Sequence, residues 1–135
     1  MKIIQISDCH LFADIHKIGY NNINPFKSLQ RILADVKTHR PDVLLVTGDI
    51  SGDGTRQSYQ HFSELINQIK IACRIGVIPG NHDNQEQLIV NVPAEYLWAN
   101  NPQLLLSNHW HIHLLNTQYQ DTIGHISEND LTSLA

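Results

Sequence analysis

The sequence has 135 residues, of which 41% are hydrophobic and 16% charged, with a formal net charge of −4. That length and apolar share suit one small domain, or a piece of a larger one, with a real core. No basic run is longer than a pair, which argues against nucleic acid as a partner, and neither a basic amphipathic helix nor a run of ~18 apolar residues points to a membrane.

Lys2 to Ser7 is a short isoleucine-rich run and is predicted as a buried strand. Asp8 to Asn24 reads as a loop, with Gly19 and Asn21–Asn22 as breakers. Asn24 before Pro25 is a helix start, Asn as the cap and Pro at the first helical position. Leu29, Ile32, Leu33 and Val36 then repeat with helical spacing, and Pro41 lies just past the end. Val43 to Thr47 is a second buried strand, and Gly48 to Gly54 a loop. Thr55 can cap a second helix whose core face is Tyr59, Phe62, Leu65, Ile66 and Ile69. Cys73 to Ile78 is a third strand, closed by Pro79–Gly80. Strand and helix alternating at this spacing predict βαβ units, a parallel sheet and an α/β fold.

The pattern changes after Asn91. Gln103 to Leu106 and His109 to Asn116 read as two strands around Ser107–Asn108, a candidate hairpin. Ser127 with Asp130 three residues later is a capping box ahead of Leu131. Cys9 and Cys73 are too few for a disulfide framework and read as two reduced, buried thiols. Met1 to Ser7 is too short for a signal peptide, so the expected location is cytoplasmic.

The residues after each predicted parallel strand carry the chemistry: Asp8-Cys9-His10, then Gly48-Asp49, then Gly80-Asn81-His82-Asp83. Strands of a parallel sheet share a carboxyl edge, where ligands bind. In an extended Asp8-x-His10, alternate side chains point the same way, so both can hold one ion while Cys9 turns to the core. Asp49 offers two oxygens, one able to bridge two ions, and Asn81 a neutral amide oxygen. Imidazole mixed with oxygen fits Mn, Fe or Zn better than Ca or Mg. Gly48 and Gly80 allow tight turns beside the ions. Two metals about 3.5–4 Å apart clamp a phosphate and activate water. His82 can then bond a phosphate oxygen or protonate the leaving alkoxide, with Asp83 orienting it.

These residues resemble the signature of the calcineurin-like metallophosphoesterases, with 41 residues from Asp8 to Asp49 and 32 from Asp49 to Asn81. The stretches SDCHLF, VTGDIS, SYQHF, PGNHD and GHISENDL are similar to bacterial class III 3′,5′-cyclic-AMP phosphodiesterases. The resemblance implies that Asp8 and His10 bind a first metal, Asp49 bridges, Asn81 binds a second, and His82, with Asp83 beside it, is catalytic. Asn81 and His82 would contact the substrate, a small phosphodiester such as a cyclic nucleotide. The implied fold is a four-layer αββα sandwich of two mixed sheets with flanking helices. Residues 1–135 would supply its N-terminal half, an incomplete domain. The family's later histidines, ending in a Gly-His-x-His block, have no match here, because Gly124-His125 is followed by Ile126-Ser127. A chain with four of the expected ligands is expected to bind metals weakly.

Single aspartates after strands are common turn or cap residues, and Asp53 is expected as a loop residue rather than a ligand. His109, His111 and His113 alternate; they form either the wet face of a strand backed by Trp110, Ile112 and Leu114, the expected case, or a surface zinc site. His16, His39, His61 and His125 read as surface residues. Phe12 and Tyr20 either wall the substrate pocket or simply pack. A protein-phosphatase relative would show arginine soon after Gly-Asp and end GNHE, whereas this chain has Ile50-Ser51-Gly52 and Asp83. A nuclease relative would favour a basic groove. A non-catalytic scaffold of the same fold would tend to lose the ligands and the histidine kept here.

Overall fold

The computed structural model describes residues 1–107, 110–132 and 134. Strands β1 (Ile3–Ile6), β2 (Val43–Thr47) and β3 (Arg74–Ile78) form one parallel sheet in the order β1-β2-β3. Helices α1 (Pro25–His39) and α2 (Arg56–Ile69) make the crossovers, and a short α3 (Gln85–Asn91) follows β3. Beyond it, β4 (Gln103–Ser107) pairs antiparallel with β5 (Trp110–His113), and β6 (Gln118–Gln120) with β7 (Ile123–Gly124), before α4 (Glu128–Thr132). Parallel and antiparallel pairing therefore both occur, but in separate ladders.

The predicted caps are present. Asn24 accepts a bond from Lys27 N at 2.8 Å, and Pro25 opens α1. Lys37 and His39 lie in the last turn, where positive charge opposes the helix dipole, and Arg40 ends the helix in a left-handed conformation. Thr55 caps α2 from the side chain. At α4, Ser127 Oγ accepts from Asp130 N at 3.1 Å, which caps the helix, and donates to Asp130 Oδ2 at 2.6 Å.

Alternation along the strands divides the core. Leu44, Val46, Ile75 and Val77 face the helices and pack with Leu29, Leu33 and Val36 of α1 and Tyr59, Phe62, Leu65 and Ile66 of α2. Val43 faces the opposite side and packs with Leu114, next to half-buried Leu45, Ile78, Trp98 and Ile112. Each fully buried side chain stabilises the fold by about 1.5–3 kcal/mol.

Several expectations need correction. In the first strand Ile3 and Gln5 are exposed; among the described residues β2 alone pairs with it. Ile32 of α1 is exposed, and Cys73 is only half-buried. Trp110 is 64% exposed rather than packed behind the histidines. His111 is exposed and His113 half-buried, while His109 lies outside the described residues. His61 is not a free surface residue: its Nε2 bonds the carbonyl of Ala13 at 3.1 Å and its ring meets Phe26 edge-on. The α3 helix and the β6–β7 ladder gave too short a pattern to be predicted. No described helix is long and apolar enough to cross a membrane.

Candidate metal centre

The loops leaving β1 and β2 are zipped together. Asp8 N donates to Gly48 O at 3.2 Å, His10 N to Asp49 O at 2.8 Å, Leu11 N to Ile50 O at 2.9 Å, and Gly52 N to Leu11 O at 2.8 Å. Leu11 and Ile50, both fully buried, anchor this zipper from below. The loop after β3 closes onto it through two glycines. A Cβ on Gly48 (φ +94°) would lie 2.8 Å from Gly80 Cα, and a Cβ on Gly80 would collide with the amide and carboxylate of Asp49. His82 N then donates to Asp49 Oδ1 at 3.0 Å.

Asp8, His10 and Asp49 converge: ligand atoms of all three lie within 4.8 Å of one another. His10 Nε2 is 3.8 Å from both Asp8 Oδ1 and Asp49 Oδ2. The route differs from the expected extended Asp8-x-His10. Asp8 (φ 56°), His10 (φ 44°) and Asp49 (φ 51°) are all left-handed, a conformation that non-glycine residues seldom adopt. Such strain, of order 1–3 kcal/mol per residue, persists where surrounding structure enforces it; here the zipper does. Cys9, between the two ligands, turns into the core as expected. Burial first, and then the charges of Asp83, Asp8 and Asp49, push its thiol up to about 12. It stays protonated and is neither a thiolate ligand nor a nucleophile.

Among the described residues neither Asp8 nor Asp49 has a lysine or arginine within ion-pair reach. Two carboxylates and an imidazole with no protein cation beside them suit a divalent ion, so the donor set fits a metal. Asn81 is exposed and stands between Gly80 and His82, both of which touch Asp49. It also lines a cleft of about 250 Å³ with Thr47, Gly80 and Gln118. The exposed His82 ring stands edge-on to His10, with centroids 5.0 Å apart.

Asp83 is bonded through both of its carboxylate oxygens. It is 5% exposed. Its Oδ1 accepts from Ser51 N (2.9 Å) and Tyr59 Oη (3.1 Å), and its Oδ2 from Gly80 N (2.9 Å) and Ile50 N (3.2 Å). With both oxygens so engaged, the carboxylate ties the β3 loop to the β2 loop and to α2. Burial and the charge of Asp83 push the Tyr59 phenol well above its ordinary value, so it remains a donor to Asp83. It also accepts from Asn84 N at 2.8 Å. Tyr59 read as plain core in the sequence, since helical periodicity reports burial and not the use of a hydroxyl. Gln118 Nε2 donates to Asp83 O at 2.7 Å, another link the sequence did not signal. Asp53 is a loop pin, as expected, accepting from Ala13 N (2.9 Å) and from the Thr55 hydroxyl (2.7 Å).

Carboxylates and a histidine gathered at the carboxyl edge of a parallel α/β sheet make a candidate metal site. The chain belongs to the calcineurin-like phosphoesterase family, whose model matches residues 1–133. It is 39% identical over 89 residues to a probable cyclic nucleotide phosphodiesterase of Pseudoalteromonas sp. (strain SM9913), covering 65% of this chain and 33% of that protein. It is 32% identical over 126 residues to the 3′,5′-cyclic adenosine monophosphate phosphodiesterase CpdA of Escherichia coli (strain K12), covering 87% of this chain and 42% of CpdA. It is 34% identical over 90 residues to a probable glycerophosphodiester phosphodiesterase GpdQ of Arcobacter nitrofigilis, covering 65% of this chain and 32% of that protein. The chain thus spans less than half the length of each of these three relatives.

Proposed function

We propose that these residues belong to a two-metal phosphodiesterase that hydrolyses a cyclic nucleotide, 3′,5′-cyclic AMP to 5′-AMP, in a cytoplasmic setting. The observation that carries this reading is the convergence of Asp8, His10 and Asp49 at one rim, with the Gly80–His82 segment seated on Asp49. Names of relatives support the substrate class, and two free thiols suit the compartment. Residues 1–135 are read as the N-terminal part of the domain, which the partial coverage of the relatives supports.

Asp8, His10, Asp49 and Asn81 would hold the metal ions, which would be Fe, Mn or Zn. When bound, they supply a Lewis acid for the phosphoryl oxygens and a water acidic enough to attack at neutral pH. Asn81 and His82 contact the phosphate. In the hydrolysis, water oxygen bonds to phosphorus as the phosphorus–O3′ bond breaks, and His82 passes a proton to O3′ and regains the one the water gives up, so that OH ends on phosphorus and H on O3′. Asp83 keeps this segment in place through its backbone bonds and touches no reacting atom.

The test is metal titration of the full natural chain by calorimetry, followed by turnover of cyclic AMP and of glycerophosphoethanolamine in Mn²⁺. Metal-dependent release of 5′-AMP is expected, and Asp49→Asn should abolish it. Turnover of the glycerol diester alone would move the substrate to the class named for the Arcobacter relative. No Mn²⁺ binding and no turnover of either would sink the reading.

A further inference from the structure

Next to the metal ligands lies a cleft of about 350 Å³ lined by His10, Phe12, Gly19, Tyr20, Gly52 and His82. Both site histidines form its wall, and its remaining side chains are aromatic. A second hollow of about 260 Å³ continues from Asp8, His10 and Tyr20 along Ile23, Pro25 and Ile32. The rim between the two is Tyr20, which is 77% exposed and stands edge-on to His10 with ring centroids 6.1 Å apart.

An exposed ring on a loop is unremarkable unless the loop is held, and this one is held throughout. Gly19 N bonds Ile23 O at 2.8 Å, and Ile23 N bonds Tyr20 O at 3.1 Å, which closes a tight turn around Tyr20. Asn21 (φ 53°) and Asn22 (φ 58°) are consecutive left-handed residues, a conformation with a real backbone cost. Asn24 Nδ2 ties the turn to Ile15 O at 2.8 Å, and Ala13 is fixed from both sides by Asp53 and His61. The floor is equally set: Phe12 rests against Gly52, where a Cβ would come within 2.9 Å of its ring, and Lys17 Nζ sits 3.9 Å over that ring. The fold thus presents the Tyr20 ring, rather than Phe12, to whatever enters beside the histidines.

We infer that Tyr20 forms a nucleobase subsite: the purine of the substrate stacks on its ring, in the cleft floored by Phe12, while the phosphate lies at His10 and His82. This rests on the cyclic-nucleotide reading above and adds where the base goes. An aromatic platform suits a flat base because every base offers a π-face. Stacking of the base that is equal in the ground and transition states acts on KM and leaves kcat unchanged.

The experiment compares Tyr20→Ala and Tyr20→Phe in the full natural chain with Mn²⁺, on cyclic AMP and on the abasic 3′,5′-cyclic phosphate of the same sugar. For Tyr20→Ala, KM for cyclic AMP should rise about tenfold with kcat near wild type. Its kcat/KM on the abasic ester should be unchanged, and Tyr20→Phe should behave as wild type on both. If cyclic AMP kinetics are unaltered by Tyr20→Ala, or if both esters suffer equally, the subsite is overturned while the phosphodiesterase reading stands. If the wild-type chain turns over neither ester, the parent reading falls and the subsite with it.

Discussion

The stretch up to Leu97 and the stretch beyond Asn101 are built on different terms. Among the residues whose burial is described, the first contains eighteen of the nineteen buried hydrophobic ones, and it holds every predicted ligand and the parallel sheet. In the second, Leu114 is buried, while Trp110, Tyr119, Ile123 and Leu131 are exposed. A left-handed aspartate or histidine is held only where packed, hydrogen-bonded neighbours enforce it. The candidate site therefore sits on the half that has a core to lean on, and the later half touches it through single bonds such as Gln118 to Asp83 O.

That contrast can be broken by mutation. Leu33→Ala, at a fully buried position of α1, should lower unfolding free energy by about 2–5 kcal/mol in a urea titration. A loss below 1 kcal/mol would mean the first half is not the stable unit. Asp49→Asn should preserve folding by circular dichroism yet weaken Mn²⁺ binding by at least about a hundredfold in calorimetry, more than the loss of a ligand's outer partner. Asp83→Asn puts an amide NH2 against N–H donors, so about 1–3 kcal/mol of stability should go. Turnover should fall with it, because the bonds holding Gly80 and Ser51 together are lost.

A smaller effect is expected in acid. Burial raises the pKa of Asp53, but bonds from Ala13, Thr55 and Ser51 outweigh it and leave the carboxyl below its ordinary 3.8. A lowered folded pKa means that the ionised form is stabilised by folding. Its contribution is present above pH 3.8 and fades as pH falls through the lower folded value. Asp53→Asn should therefore narrow the stability gap between neutral and acid pH, measured as melting temperature against pH. Smallest of all, Leu131→Ala on exposed α4 should shift stability by less than about 0.5 kcal/mol; a larger loss would show that the later half has a core of its own.

The order of βαβ elements, the caps at Asn24, Thr55 and Ser127, and the gathering of Asp8, Asp49 and Gly80–His82 at one rim were legible in the sequence. They follow from local rules: period, capping chemistry and the shared carboxyl edge of parallel strands. Tertiary structure alone decided the rest. It set the left-handed backbone at Asp8, His10 and Asp49, placed the Asp83 carboxylate on four donors, gave the Tyr59 hydroxyl a partner, and stood Tyr20 edge-on to His10. Each depends on which distant groups meet across a loop, and a hydrogen bond between residues 24 or 33 positions apart leaves no periodic trace in the chain.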